Sequence, residues 1–231
     1  MTTLRLLSGG AAQGLVEATR AAFAAATGAT IDGTFGAVGA MRARLIDGDA
    51  ADVVILSRAL IDGLVGDGHV LGGSARDIGA VATAIAVRSG DPAPAVGDAA
   101  SLRAALLAAD AIHFPDPEQA TAGIHFAKVL RDLDVWEAVA DRLRPAPNGA
   151  TAMRALAADS GRAPIGCTQV TEILATPGLA LVAPLPPGCD LATTYTAAIG
   201  AAARAPDLAA RLIALLTDAS GADRRRSLGF V

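Results

Sequence analysis

Leu4-Arg5-Leu6-Leu7-Ser8-Gly9-Gly10, Thr30-Ile31-Asp32-Gly33-Thr34-Phe35-Gly36-Ala37-Val38-Gly39 and Asp52-Val53-Val54-Ile55-Leu56-Ser57 share one plan: an apolar strand, then small residues, then the start of a helix. A helix that opens directly after a strand presents its free backbone N–H groups and the positive end of its dipole to whatever lies beside it. Gly9, Gly10, Gly36 and Gly39 place no side chain in front of those donors. Two such ends in one sheet predict a pocket for a small anion.

Working outward, the helical period is carried by Leu15, Ala18, Ala22 and Ala26 up to Gly28, by Met41, Leu45 and Ile46 up to Gly48, and by Ala59 to Val65. The resulting β-α-β-α-β-α order implies a parallel sheet covered by helices. The run from Ile78 to Arg88 is longer than one ordinary strand requires, and it is read as carrying the chain from one sheet to another. The alternation then repeats. Helix 101–109 leads to strand 111–114, helix 121–133, strand 142–145, helix 151–158, strand 164–167 and a short helix around Thr171. Leu179 to Leu185, followed by Pro186-Pro187-Gly188, suggests a second crossing, after which come strand 193–199 and a closing amphipathic helix over 208–216. The expected architecture is α/β with two Rossmann-like lobes: residues 1–82 with 190–231, and an inserted lobe over 83–189.

Composition narrows the function. The 231 residues carry 19 basic and 23 acidic side chains, a formal net charge of −4, and five Phe, one Trp and one Tyr. So little stacking surface and positive charge argue against a nucleic-acid partner. Arg224-Arg225-Arg226 reads as a solvated helix end. No apolar run reaches spanning length, so no membrane insertion is expected. Cys167 and Cys189 lack neighbours at metal spacing, and no nucleotide fingerprint or metal triad is present, so neither cofactor nor metal is expected. The first residues lack the pattern of a secretory leader and suggest a cytoplasmic protein, or a periplasmic one whose leader has been removed. A monomer or weak dimer is expected.

The order of motifs resembles the type II periplasmic solute-binding proteins, and within them the molybdate-binding family. Phe114-Pro115-Asp116-Pro117-Glu118-Gln119-Ala120-Thr121-Ala122-Gly123-Ile124-His125-Phe126-Ala127-Lys128 is similar to that family's Asp-Pro…Pro-Ala-Gly-x-Tyr-Ala-Lys loop and helix start. Ala163-Pro164-Ile165-Gly166-Cys167-Thr168-Gln169-Val170-Thr171-Glu172 is similar to its Gly-Ile-Val-Tyr-x-Thr-Asp motif. The resemblance implies a two-crossing hinge and a ligand held between the lobes. It also implies hydroxyl groups around a metal oxyanion, and here the chain departs from the family. The positions of those hydroxyls fall on Ala11, on Ala37, Val38 and Gly39, and on Gln169. A buried oxyanion with unmet acceptors costs several kcal/mol. An organic carboxylate, its carbon skeleton against Val38 and Met41, fits the change better. With Ser8-Gly9-Gly10 and Gly166-Cys167-Thr168-Gln169-Val170-Thr171-Glu172, the chain is closer to the aconitate isomerase branch. The alternative is the substrate-binding component of a molybdate- or tungstate-type ABC transporter, with a permease as partner.

The ligand-binding set read from these motifs is Ser8, Gly9, Gly10, Ala37, Val38, Gly39, Arg58, Thr121, Ala122, Gly123, Thr168 and Gln169. Arg58 is placed to meet a carboxylate in bidentate fashion, Thr121 to cap its helix beside the ligand, and Thr168 and Gln169 to follow a buried strand. An isomerase that shifts a double bond needs a group that titrates near neutrality. His113, at the edge of its lobe, and His125, one turn into a helix, are the candidates; each also has a packing reading. His69 lies in a surface turn. Tyr195 is either a hinge-packing residue or a ligand donor, and Asp116 or Glu118 either a base or a loop cap.

Overall fold

The computed structural model describes residues 2–231. In chain order the elements are β1 (Thr3–Gly9), α1 (Gln13–Thr27), β2 (Thr30–Gly36), α2 (Val38–Ile46), β3 (Val53–Ser57), α3 (Arg58–Gly66), β4 (Arg76–Arg88), α4 (Ala99–Ala108) and β5 (Ile112–Pro115). They continue with α5 (Thr121–Asp132), β6 (Leu143–Ala146), α6 (Gly149–Ala158), β7 (Ile165–Gln169), α7 (Val170–Leu174), β8 (Leu179–Pro184), β9 (Ala192–Ile199), α8 (Pro206–Thr217) and α9 (Ala222–Ser227). Two compact units emerge. One runs to Ala80 and resumes over Thr193–Val231; the other is Val81–Ala192. The first division falls inside β4.

In the first unit the strand order is β2-β1-β3-β9, with β1, β2 and β3 parallel and β9 antiparallel to β3. The second unit has the same plan in β6-β5-β7-β4, where β5, β6 and β7 are parallel and β4 is antiparallel to β7. β8 also pairs with β4. In each unit three helices start at the carboxyl ends of three parallel strands. The central strand, β1 or β5, sends its helix off where the order of the strands reverses, which is where ligands of open α/β sheets collect.

The first sheet is held by alternation and by one buried carboxylate. Leu4, Leu6, Val53 and Ile55 are fully enclosed, with α1 packed on α8. Asp52 is also buried. Its Oδ2 accepts the Arg5 N–H at 2.8 Å, and its Oδ1 accepts those of Arg204 and Ala205 at 2.7 and 3.0 Å. One side chain thereby ties β1 and β3 to the start of α8. In the second unit α5 buries Ala122, Phe126, Val129 and Leu130, a stripe at helical spacing. Phe126 meets Phe114 of β5 edge to face at 5.6 Å. Ile85, Leu102, Leu106, Ile112 and Ile165 complete that core.

α1 ends where Gly28 turns left-handed at φ 69°, its N–H returning to Ala24 O. The six-residue 3-10 segment Glu137–Arg142 and α9 carry no periodic signal long enough to be read from sequence. The Arg224-Arg225-Arg226 run lies in α9, where Arg225 donates to the carbonyls of Leu216 and Asp218 behind α8. Among the described residues no helix is long and apolar enough to cross a membrane.

Candidate functional site

The three strand-to-helix turns of the first unit have their N–H donors uncovered by side chains. The 3-10 turn Gly10–Ala12 that follows β1, and α2 and α3, start with no side-chain cap, and the Gln13 N–H at the head of α1 already bonds Gly10 O. In α2 the extended residue Ala37 precedes the helix, and Met41 N–H is the donor to its carbonyl, so the N–H groups of Val38, Gly39 and Ala40 come before the first intrahelical bond. Ala37 and Val38 are buried, which gives this end an apolar wall.

The glycines here have a second role. A Cβ on Gly9 would come within 2.7 Å of Val38 Cγ1 and 3.2 Å of the Tyr195 ring, and one on Gly36 within 2.9 Å of Met41 Cε. They admit packed side chains rather than clearing space for a ligand. Ser8 is fully buried, with its hydroxyl donated to Gly9 O at 2.9 Å. Arg58 pairs with the Asp77 carboxylate, whose Oδ1 also accepts the Thr196 hydroxyl. Tyr195 sits in β9 opposite Ser57 and is buried.

In the second unit the α5 turn follows the Asp-Pro loop. Asp116 Oδ1 accepts the N–H groups of Glu118 and Gln119, so this carboxylate shapes the loop. The residue before α5 is Ala120, and no side chain caps the helix. Thr121 is therefore the first helical residue, not the cap: Ala120 already has the extended backbone that ends the loop. Ile124 N–H bonds Ala120 O, leaving the N–H groups of Thr121, Ala122 and Gly123 ahead of the intrahelical ladder. A Cβ on Gly123 would overlap the carbonyls of Pro115 and Asp116. Glycine is what lets α5 start so close to the end of β5.

The imidazoles are engaged elsewhere. β5 lies between β6 and β7, so His113 is interior rather than at an edge. Its Nε2 is 2.7 Å from Asp159 Oδ2. Asp159 ends α6, whose ten residues put it about 15 Å from the N-terminus of that helix. Burial would raise the Asp159 carboxyl, but the Gly161 N–H and His113 hold it below its ordinary range. Arg88 closes this cluster by donating to the carbonyls of Asp159 and Gly161. His125 Nε2 donates to Cys189 O at 2.8 Å, which fixes its tautomer and its packing role. Neither ring is placed as a base at the strand ends.

Thr168 and Gln169 belong to β7 itself, and both are buried. The Thr168 hydroxyl donates to Glu172 Oε2 at 2.6 Å. Glu172 also accepts the N–H groups of Gln169 and Ala150; burial pushes its carboxyl upward against these bonds. Gly149 starts α6 against that carboxylate, and Asn148 Oδ1 accepts the Thr151 N–H at 2.9 Å. Sequence reading passed over Glu172, although a Glu three residues into a helix is a known signal for reaching back to the first N–H. It also passed over two hydroxyls. Thr83, opposite Gln169 in the β4–β7 register, and Thr171 each bury an Oγ1 that no protein group bonds. No group of three metal-ligating side chains occurs among the described residues.

Comparison with known proteins agrees with this geometry. A model of the bacterial extracellular solute-binding proteins matches residues 4–231. The aconitate isomerase of a Pseudomonas species is 29% identical over 163 residues, which is 69% of this chain and 59% of that enzyme's length. The periplasmic molybdate-binding protein of Azotobacter vinelandii superposes with a TM-score of 0.80 at 18% identity, covering 99% of this chain and 98% of that one. The sulfate-binding protein SubI of Mycobacterium tuberculosis gives 0.78 at 18% identity, with 100% and 86% covered. The fold is that of the type II solute-binding proteins, and the chain belongs to the bacterial extracellular solute-binding protein family.

Proposed function

We propose that the protein binds a small organic carboxylate at its uncapped strand-to-helix turns, with an allylic proton shift of the aconitate type as the reaction to be tested on that ligand. The observation that carries the binding reading is the pairing of free N–H donors with carbon walls. The 3-10 turn Gly10–Ala12 after β1 and the starts of α2 and α5 offer backbone donors without side-chain caps, while Ala11, Ala37 and Val38 supply apolar surface where an oxyanion would need hydroxyls. Carboxylates suit helix ends of this kind, and a carbon skeleton suits the walls. The proposed donors are, in the first unit, the backbone of Gly9, Gly10, Ala37, Val38 and Gly39 and, in the second unit, that of Thr121, Ala122 and Gly123 with the side chain of Gln169. The partial match to an aconitate isomerase supports the choice of reaction.

The test adds cis- or trans-aconitate and follows both the melting temperature and the NMR spectrum. A rise in melting temperature together with interconversion is expected. No shift and no conversion with a panel of di- and tricarboxylates overturns the reading; a shift without conversion leaves a carboxylate-binding protein and removes the isomerase.

A second reading, an oxyanion-binding component of an ABC transporter, is favoured by one specific observation. The Thr83 and Thr171 hydroxyls, buried and unbonded, return donors that the altered motifs lack. Such groups are rare without a partner. Tight calorimetric binding of molybdate or sulfate decides for it. Fractionation of the native host then separates the periplasmic placement that goes with transport from a cytoplasmic one.

A further inference from the structure

Thr83 is 1% exposed, and no protein group bonds its hydroxyl. A buried Oγ1 in that state is uncommon and calls for a partner from outside the chain. The strand register shows where it lies. Thr83 stands opposite Gln169 and Ile85 opposite Cys167, so these four side chains share one face of the β4–β7 pair. On that face Ile85 and Cys167 pack in one core with Phe114 of β5 and with Phe126 and Val129 of α5. It is therefore the face that α5 covers. Followed toward the carboxyl ends of β5 and β7, its apolar stripe stops at Thr83 and Gln169, both buried.

The same end of the sheet holds the start of α5. Pro115 closes β5, and Gly123 lies against the carbonyls of Pro115 and Asp116, which brings the N–H groups of Thr121, Ala122 and Gly123 down to the strand ends. In the order β5-β7-β4, strands about 4.8 Å apart put Thr83 about 10 Å across from β5. With a hydrogen bond of about 2.9 Å at each side, the two acceptors of a ligand that met both would stand about 4 Å apart. C–O bonds of about 1.2 Å cannot separate the oxygens of one carboxylate that far, whereas two carboxylates on neighbouring carbons reach it.

We propose that Thr83 is a specificity-determining residue: with the α5 start holding one carboxylate of the ligand, the Thr83 hydroxyl donates to a second carboxylate on the neighbouring carbon, so that the protein selects vicinal di- and tricarboxylates over monocarboxylates. The proposal rests on the reading that the α5 end binds a carboxylate. A neutral hydroxyl leaves no uncompensated charge when the site is empty, only one unmade hydrogen bond.

The test compares wild type with Thr83→Val, which keeps the shape and removes the hydroxyl, and Thr83→Ser, which restores it. Succinate and butyrate, equal in chain length and different by one carboxylate, are titrated calorimetrically, with molybdate as a third probe and melting temperature as the control for folding. Wild type is expected to bind succinate at least about tenfold more tightly than butyrate, Thr83→Val to lose about tenfold for succinate and nothing for butyrate, and Thr83→Ser to recover the loss. Without ligand, Thr83→Val is expected to melt no lower than wild type, because the hydroxyl it lacks has no partner in the protein. Wild type that binds butyrate as well as succinate, or equal succinate affinity in wild type and Thr83→Val, overturns the proposal and leaves the carboxylate reading standing. An equal loss for both acids overturns it too, since Thr83 would then only shape the α5 end. If Thr83→Val does not fold, the same comparison is read in Thr83→Ala. Wild type that binds neither acid overturns both readings, and molybdate binding that then weakens in Thr83→Val gives the hydroxyl to an oxyanion.

Discussion

The two units are built on the same strand order, yet they treat their helix ends differently. In the first, α1, α2 and α3 all start without a side-chain cap. In the second α5 and the five-residue α7 start that way, while α4 is capped by Asp98 and α6 by Asn148, with Glu172 also accepting the Ala150 N–H. A repeated topology therefore does not repeat the chemistry. The strand order says where helix ends will gather; individual side chains decide which ends keep their donors.

Substitutions can break this comparison, and Gly123→Ala is expected to have the largest effect. Its Cβ would be driven into two backbone carbonyls that cannot rotate away, at a cost of about 3 kcal/mol in denaturant unfolding. A loss under 1 kcal/mol would mean that α5 does not start as close to β5 as described. Next comes Gly149→Ala, where the obstacles are side-chain oxygens, at about 2 kcal/mol. Combined with Glu172→Ala the penalty should shrink, giving a coupling of roughly 1 kcal/mol in a double-mutant cycle. Strict additivity would separate Gly149 from the carboxylate.

A smaller effect is expected in the pH dependence of stability. Burial places the folded-state pKa of Glu172 above its ordinary 4.5, so between the two values the folded protein holds more protons than the unfolded chain. Stability attributable to this group should fall as pH rises from 4.5 through the raised value, and stay level above it. Glu172→Gln should flatten that limb; identical pH profiles for wild type and variant would refute it. Smallest is Gly9→Ala in the first unit. There the nearest obstacle is the Val38 methyl at 2.7 Å, on a side chain able to yield, and about 1 kcal/mol is expected. A loss as large as that of Gly123→Ala would show that the first unit is as tightly constrained as the second.

Much of the architecture was legible because it is local. The period of Leu15, Ala18, Ala22 and Ala26, the stop at Gly28, and the strand-to-glycine runs at Gly9 and Gly36 are each written within a few neighbouring residues. The site was legible only in part. Gly9 and Gly123 were recognisable as turn glycines, but they are glycines because Val38, Tyr195 and two carbonyls press on them. His113, His125 and Arg58 have the right chemistry for a site, yet each is bound to a residue from another element: Asp159, the Cys189 carbonyl and Asp77.

The chain alone determined that six parallel strands would run into helices and so produce anion-holding ends, since periodicity and backbone freedom are properties of short segments. Only the tertiary structure decided which of those ends stay open. Asn148 caps α6 from the adjacent position, a local signal, but Glu172 reaches Ala150 from another element, and whether such a donor is free depends on which side chains remote in sequence come within hydrogen-bond distance once the sheet has assembled.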